Sequence, residues 1–374
     1  MMAGIALALA LTLAGSSAIA RTPQGYDFSA VNAELTRQCI SGEFSGIVVV
    51  RVRGRELYAK DCGWADMANL VPIERGTRFR IFSTSKLLTA LTVMRLVEQG
   101  KMGLDNSVAD YLPDVPKEWR AVSLRSLLNH TSGIPDYTEL LLYHFRSDHP
   151  TAMKDTLAAL TPEQRALATR PGERFSYNNF GFELIADAAA HVTGKPFGQV
   201  VKEVVLVPAG MKNASVEAPN MVAGHPLTVA EDGLANGYNG SPDKLEQAAP
   251  WSFVQLGAGA VRASVDDFVA LDEAISAGKI VTPQTWALMT SNPVTPPPGA
   301  REGTDNSFGL GVNLEEHDGV RLQGHKGGTN GYISAFERFP DDGAMMIVLA
   351  NRGFTATKWL REGVAKTLKE ARQQ

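Results

Sequence analysis

The stretch Phe82-Ser83-Thr84-Ser85-Lys86 opens a long apolar segment of the chain. The residues that follow Lys86 are apolar on nearly every side as far as Met94, and Gly100 is a typical residue for ending a helix. The pattern predicts a helix over residues 83–99. Because this helix has no polar face in its first half, we expect it to be buried inside the fold.

Ser83 and Lys86 form an S-x-x-K pair at the start of this helix. A spacing of three places both side chains on one face, with Cβ atoms about 5–6 Å apart. A serine hydroxyl is a weak nucleophile unless a base takes its proton. Lysine can be that base only as a free amine, and both apolar surroundings and the positive end of the helix dipole disfavour the ammonium.

An S-x-x-K match is weak by itself, because a capping serine followed by a surface lysine gives the same letters. Ser241-Pro-Asp-Lys244 also matches, but it lies in a stretch rich in Gly and Pro where no helix holds the pair together. Lys86 differs because it opens an apolar helix, where an unpaired ammonium is costly unless it has a function.

The remaining hydrophobic patterns run from strands to helices and back to strands. Asp318-Gly319 and Asp342-Gly343 are typical hairpin turns. We predict an α+β fold, with one antiparallel sheet made of N- and C-terminal strands, flanking helices and a mainly helical insertion at roughly 105–255. The predicted helices are 83–99, 123–129, 162–168, 183–192, 265–277 and 356–370; the predicted strands are 47–53, 56–60, 308–314, 320–323, 332–339 and 345–350.

A second candidate box is Ser176-Tyr177-Asn178-Asn179. In extended or loop backbone, Tyr177 and Asn179 face the same side and can both line a cleft. Tyr177 beside a lysine can carry a proton to a leaving group, and Asn179 can hold both the lysine and a substrate carbonyl. A hydrogen-bonded surface turn is the alternative interpretation.

A third candidate box is Gly324-His325-Lys326-Gly327-Gly328, at the start of a C-terminal strand. Several glycines beside a strand indicate that something approaches the backbone closely. In extended backbone, His325 and Gly327 point one way and Lys326 the other. A plain glycine-rich turn is the alternative.

Composition excludes several classes of function. The chain has 374 residues and a net charge of −4, whereas nucleic-acid binders carry a basic excess. The seven histidines show no metal-ligand spacing, and no G-x-S-x-G or G-x-x-x-x-G-K-[ST] motif occurs. We therefore expect no metal and no cofactor, no nucleic-acid partner, and a small molecule or peptide as substrate; the oligomeric state stays open.

The first twenty residues contain no charge and combine a short apolar core with an A-x-A ending. This pattern predicts a signal peptide (residues 1–20) cleaved after Ala20, a mature domain at 21–374, and a secreted or periplasmic location. No Lys or Arg precedes the core, and an uncleaved anchor is the alternative. The mature chain has no stretch long enough for a transmembrane helix. Cys39 and Cys62 permit one disulfide in an exported chain, a question that the pattern leaves open.

In this order the three boxes resemble those of the serine β-lactamase and penicillin-binding protein superfamily, for which S-x-x-K is a signature. The branch they resemble most contains class C β-lactamases, D-alanyl-D-alanine carboxypeptidases and β-lactamase-like esterases. The resemblance covers nearly the whole mature chain, because four more segments fit family landmarks: LLNHTSGIP (127–135), VPAGM (207–211), GAG (257–259) and FGLG (308–311).

The resemblance implies roles for individual residues. Ser83 would be the acylated nucleophile, Lys86 its base and Tyr177 the proton carrier. Substrate would contact Asn179 and the box of His325 and Gly327, and the N–H groups of Ser83 and Gly328 would form the oxyanion hole.

Two residues depart from the family pattern. Lys326 stands where the family usually has Thr, although a shifted register, Lys326-Gly327-Gly328, would restore a first-position Lys. Tyr137, at the substrate-binding edge of the cleft, stands where class C β-lactamases usually have Gln. Both changes weaken a dedicated β-lactamase interpretation.

The predicted function is therefore a serine hydrolase that forms an acyl-enzyme on an amide or ester carbonyl. Its expected substrate is a D-alanyl-type peptide or a short-chain ester. The alternatives are a class C-like β-lactamase and a receptor that binds penicillin or peptidoglycan without turnover.

Overall fold

The computed structural model describes residues 25–136, 153–217, 233–248, 256–298, 306–329 and 331–374. The predicted signal peptide and Tyr137 lie outside these ranges. The strands are β1 (Gly46–Val52), β2 (Arg55–Cys62), β3 (Trp64–Asp66), β4 (Val71–Pro72), β5 (Phe79–Arg80), β6 (Ser215–Val216), β7 (Tyr238–Ser241), β8 (Lys244–Gln247), β9 (Val261–Ala263), β10 (Ser307–Phe308), β11 (Asn313–His317), β12 (Val320–Thr329), β13 (Tyr332–Phe339) and β14 (Ala344–Ala350).

Seven strands form one antiparallel sheet in the order β10-β11-β12-β13-β14-β1-β2. N- and C-terminal strands meet inside this sheet, where β1 pairs with β14 from Gly46 opposite Ala350 to Val52 opposite Ala344. Every residue of β14 is buried. A continuous apolar run of this length is what a strand covered on both faces requires.

The helices are α1 (Ser29–Ser41), α2 (Ser85–Glu98), α3 (Leu124–Leu128), α4 (Met153–Ala159), α5 (Pro162–Arg165), α6 (Asn179–Thr193), α7 (Phe197–Val201), α8 (Val207–Ala209), α9 (Val265–Ser276), α10 (Pro283–Thr290) and α11 (Lys358–Ala371). Short 3₁₀ turns occupy Phe82–Thr84, Val108–Asp110 and Lys117–Trp119, and one π-helical turn occupies Lys202–Leu206. None of the helices in the described ranges is long and apolar enough to cross a bilayer.

Helices cover both faces of the sheet. The terminal helices α1 and α11 pack on one face, where Leu35 and Leu360 share a core with Val48. The opposite face packs against the other helices, and there Val49 shares a larger core with residues of α2. Eleven of the fourteen residues of α2 are buried, so this helix lies inside the molecule as its sequence predicts.

The predicted fold class is confirmed: an antiparallel sheet built from both ends of the chain is flanked by helices. Tyr332–Phe339 is the predicted strand to the residue. Residues 308–314 are not one strand, because residues 309–312 form an irregular connection between β10 and β11. The stretch rich in Gly and Pro around Ser241 contains β7.

Cys39 and Cys62 are joined in a disulfide, with 6.1 Å between their Cα atoms. The chain doubles back through α1, a helix that the hydrophobic pattern did not reveal. Its last turn carries Cys39, and Cys62 ends β2. The disulfide therefore fastens the N-terminal helix to the edge of the sheet.

Candidate active site

Ser83 lies in the tight turn that leads into α2. Phe82 before it has φ +42°, a left-handed conformation that is unusual for a phenylalanine and is common where a side chain must be presented. Its ring packs against Tyr332, with 5.8 Å between centroids. Ser83 is half-buried although its neighbours Phe82 and Thr84 are buried. The turn thus leaves Ser83 partly exposed to solvent, while the residues on either side of it are covered.

The central sheet holds this turn in place through hydroxyl groups. Ser334 of β13 donates from Oγ to the carbonyl of Ile81 over 2.8 Å, and its Oγ lies 2.9 Å from Thr84 Oγ1. Gly327 of β12 lies against the same turn: a Cβ built on it would be 2.2 Å from Ile81 O and 2.8 Å from Thr84 N. Only glycine permits the strand to approach so closely.

Lys86 is completely buried one turn after Ser83. Its Nζ donates to Ser83 Oγ at 3.1 Å, to Asn179 Oδ1 at 2.8 Å and to the carbonyl of Ala258 at 3.1 Å. All three acceptors are neutral, and no carboxylate in the described ranges lies within ion-pair distance of Nζ. The observed contacts of this buried amine therefore include no counter-charge.

Tyr177 lies beside this amine, with 5.0 Å from Lys86 Nζ to the centre of its ring. The other side of the tyrosine ring lies against His130, at 4.4 Å between centroids. His130 Nδ1 accepts the N–H of Asn178 at 3.1 Å, so the ring proton of neutral His130 is on Nε2. Burial, reinforced by the nearby Lys86, lowers the pKa of His130 well below its usual range.

Asn179 begins α6, and two neighbours fix its orientation. Asn178 caps the helix by accepting the N–H of Gly181 at 2.6 Å. Asp136 accepts the N–H of Phe180 at 3.1 Å and the side-chain amide of Asn179 at 3.3 Å. The carboxylate takes the amide nitrogen of Asn179, which leaves its oxygen directed at Lys86. The sequence prediction missed Asp136. The available signal was its place directly after the family landmark at 127–135, which we call the cleft-edge segment.

The third box adopts the register that begins at His325. His325 is 2% exposed, and its carbonyl lies 3.4 Å from Thr84 Oγ1. Lys326 points to the opposite face, where Nζ contacts Glu315 at 2.6 Å. His325 Nδ1 donates to the carbonyl of Lys326 at 2.7 Å, since a carbonyl can only accept. Burial and the Lys86 charge lower the pKa of His325 to about 3, so the imidazole is neutral.

The structure thus brings together Ser83, Lys86, Tyr177, Asn179, His325 and Gly327. Gly328 continues the same strand, and its role with the Ser83 N–H as an oxyanion hole stays a prediction. The other S-x-x-K pair is elsewhere: Ser241 and Lys244 face each other at the end of the β7–β8 hairpin. Lys244 is exposed, so the pair has no buried amine.

One further acid belongs to this region and was not found from the sequence. Glu183 is 5% exposed and accepts the N–H groups of Gly257 at 3.2 Å and Ala258 at 2.9 Å. Burial raises its pKa to about 7, against the lowering effect of those bonds and of the Lys86 charge. Its position four residues after Asn179, on the same helix face, was the signal that could have identified it.

The described ranges contain no group of three or more His, Cys, Asp or Glu side chains placed to hold a metal ion. The arrangement supports nucleophilic chemistry instead: a hydroxyl is within hydrogen-bond distance of a buried amine, and a tyrosine ring and an amide are beside that amine.

Comparisons with known proteins agree with this fold. The family model "Beta-lactamase" matches residues 32–368. Penicillin-binding protein 4* of Bacillus subtilis (strain 168) is 28% identical over 317 residues, covering 83% of this chain and 68% of that protein. A D-aminopeptidase of Brucella anthropi is 26% identical over 287 residues, covering 77% of this chain and 52% of its own length. The chain therefore spans about half the length of that relative.

Solved structures show the same fold. The octameric penicillin-binding protein homologue from Pyrococcus abyssi superposes with a TM-score of 0.76 at 23% identity, covering 92% of this chain and 77% of that one. The D-amino acid amidase from Ochrobactrum anthropi SV3, complexed with L-phenylalanine amide, gives 0.71 at 24% identity, with 92% and 99% coverage.

Proposed function

Because the chain belongs to the β-lactamase family and is a serine hydrolase of that fold, we propose that it cleaves the amide bond of D-amino acid amides through an acyl-enzyme on Ser83. The observation that carries the proposal is the contact of Ser83 Oγ with Lys86 Nζ, a buried amine whose other partners are also neutral.

The proposed acylation step follows from these contacts. Ser83 Oγ attacks the substrate carbonyl carbon while its proton passes to the free amine of Lys86. The carbonyl oxygen becomes an oxyanion, which the N–H groups of Ser83 and Gly328 stabilise. The C–N bond then breaks as Tyr177 delivers a proton to the leaving nitrogen and is itself reprotonated from Lys86. The products are an ester on Ser83 and a free amine.

Deacylation reverses the roles of these groups. A water molecule gives a proton to the same tyrosine and lysine pair and attacks the ester carbon. The ester C–O bond breaks, Ser83 Oγ takes the proton back, and the acid product leaves. Asn179 would contact the substrate amide throughout, since its side chain already lies between Lys86 and Asp136.

The third box favours amides over substrates that carry a free carboxylate. Its residue on the Ser83 side is His325, an imidazole kept neutral by burial, and its one cation, Lys326, pairs with Glu315 on the other side of the strand. A substrate carboxylate would find no positive charge there. D,D-carboxypeptidase substrates and β-lactams both carry that carboxylate, whereas D-amino acid amides and simple esters do not. Two relatives whose names specify D-aminopeptidase or D-amino acid amidase support the same choice.

We also propose that residues 1–20 are a signal peptide and that the mature domain is exported. The disulfide between Cys39 and Cys62 supports export, because such bonds persist mainly in oxidising compartments.

Intact-mass spectrometry of the exported protein tests these proposals together. The chain is expected to begin at Arg21. Incubation with a D-phenylalanine ester is expected to add one acyl group at Ser83, and Ser83→Ala is expected to remove that adduct. The L-ester is the matched control, and penicillin and a D-Ala-D-Ala peptide test the carboxylate-bearing alternatives.

An adduct that persists in Ser83→Ala, or that maps to another residue, would contradict the nucleophile assignment. Faster acylation by penicillin than by the D-ester would instead favour a β-lactamase. Binding of any of these probes without an adduct would favour a receptor.

A further inference from the structure

Glu183 is a buried carboxylate for which the proposed reaction has no step. It lies on α6 one turn after Asn179 and holds the N–H groups of Gly257 and Ala258. Two N–H donors on one carboxylate are a strong arrangement when the acid is ionised, because each bond is charge-assisted. The segment of Gly257 and Ala258 is therefore fixed from the α6 side by a single side chain.

The same two residues are held from the other side by α2. The carbonyl of Ala258 accepts from Lys86 Nζ at 3.1 Å, and the carbonyl of Gly257 accepts from Thr89 Oγ1 at 2.6 Å. The segment also fits closely against α6, since a Cβ on Gly257 would lie 2.0 Å from Phe182 O. A short piece of backbone thus connects the carboxylate of Glu183 to the amine of Lys86.

We infer that Glu183 is a positioning residue: it orients the Gly257–Ala258 backbone that holds Lys86 and, through its own charge, sets the pH at which Lys86 becomes a free base. This inference rests on the proposed function, because it concerns the base of that reaction. The effect has two parts, one geometric and one electrostatic, and each predicts a different change on substitution.

The other ionisable neighbours of Lys86 do not account for a response near neutral pH. His130 and His325 face it from the cleft-edge segment and from β12, and burial lowers the pKa of both, that of His325 to about 3. Tyr177 presents its ring at 5.0 Å. Glu183 differs, because burial raises its pKa to about 7. Its ionisation therefore coincides with the pH range in which a hydrolase normally works.

The sign of the electrostatic effect follows from Coulomb attraction. An ionised Glu183 stabilises the ammonium form of Lys86, so the wild-type protein needs a higher pH to free the amine. Glu183→Gln removes that charge at every pH. The acid limb of the kcat/KM profile is therefore expected to move to lower pH by about 0.5–1 unit.

The geometric effect lowers the maximum of the same profile. A glutamine oxygen can accept one of the two N–H bonds, but its NH₂ group opposes the other donor. The Gly257–Ala258 backbone then loses part of its fixation, and a small displacement of a catalytic base is costly. We expect the maximal kcat/KM of Glu183→Gln to fall about tenfold.

The experiment measures kcat/KM from pH 5 to 9 with a chromogenic D-amino acid ester, for wild type, Glu183→Gln and Asp187→Asn. Asp187 is the matched control: it lies one turn further on the same helix, it is half-buried, and burial raises its pKa too. Hydrogen exchange of the Gly257 and Ala258 amides is measured on the same three proteins, as protection factors.

The expected result is a lowered and acid-shifted profile for Glu183→Gln with lost protection at both amides, and a wild-type profile for Asp187→Asn. An unchanged acid limb in Glu183→Gln would overturn the inference, and so would an equal shift in Asp187→Asn. If wild type is never acylated at Ser83, the proposed function fails separately. The protection of the Gly257 and Ala258 amides then decides the positioning role. Lost protection in Glu183→Gln supports that role, and retained protection overturns that role.

Discussion

Lys86 and Lys326 lie on opposite sides of strand β12, and their partners differ in charge. Lys86 contacts three neutral acceptors next to Ser83. Lys326, on the far face of β12, contacts Glu315 at 2.6 Å. Arg361 of α11 joins that group through Glu315 at 3.2 Å and Glu337 at 3.4 Å.

The partners of each lysine indicate what it can do. A lysine beside a carboxylate is held in place by an ion pair, whereas a lysine that contacts only neutral acceptors has no such pairing. We therefore expect Lys326 to support the strand and Lys86 to act in the proposed reaction. Burial alone would not separate them, because both side chains are largely removed from solvent.

The largest expected effect is that of Lys86→Ala. Removing the base should lower kcat/KM by about 10⁴-fold, since a serine hydroxyl without a base is a weak nucleophile. Circular dichroism is expected to stay close to wild type, because none of the acceptors that lose Lys86 is charged. The rate is measured with the chromogenic ester and the fold by the far-ultraviolet spectrum. A collapsed fold would show instead that the amine is structural.

Lys326→Met is expected to lower stability and to leave activity nearly unchanged, which is the reverse of the effect of Lys86→Ala. It removes one of the two cations next to Glu315, which should lower the free energy of unfolding by about 3 kcal/mol. The activity of the folded protein should change less than about threefold, because Lys326 points away from Ser83. Urea denaturation measures the first quantity and the ester assay the second. Lys326→Arg, which keeps the charge, is the control.

A large loss of activity in Lys326→Met with stability unchanged would contradict the assignment. It would favour the other register of the third box, in which Lys326 takes the first position and faces the substrate.

Most of the fold was predictable because its pattern is local. The apolar runs of β1, β13 and β14 and the apolar start of α2 reflect elements covered on all sides, and such elements show as nearly uninterrupted apolar runs in the sequence. Helix α1 was missed because its buried positions are few: Val31, Leu35 and Gln38. The predicted strand at 308–314 is interrupted where Gly311 packs closely against Ala90. A Cβ built on Gly311 would lie 2.3 Å from the Cβ of Ala90, and no local sequence pattern shows this contact.

The candidate site was predictable to the extent that motifs specify it. Ser83, Lys86, Tyr177 and His325 stand in recognisable boxes, and alternation along a strand gave the correct sides for His325 and Lys326. Glu183, Asp136 and the ring of His130 were not singled out. Spacing along α6 places Glu183 on the same helix face as Asn179, but it does not show the partner of the carboxylate, because Gly257 is 74 residues away in the chain.

The smallest expected effect concerns Glu337, the second acid next to Arg361. Burial raises its pKa to about 7, although Arg361 opposes that rise. The folded protein therefore holds a proton here that the unfolded chain releases near pH 4.5, so stability contributed by Glu337 declines as the pH rises from about 4.5 to 7. Glu337→Gln has no such proton to lose. Its free energy of unfolding relative to wild type should rise by about 2 kcal/mol between pH 5 and pH 8.

Glu315→Gln provides the control for that measurement. Burial raises the pKa of Glu315, but Lys326 and Arg361 outweigh it and hold the pKa below its ordinary value. Stability from Glu315 is thus present above about pH 4.5 and is lost only as the pH falls further. Glu315→Gln should therefore be equally destabilised at pH 6 and pH 8 in urea denaturation. If Glu337→Gln also showed no change with pH, the far face of β12 would hold both acids ionised.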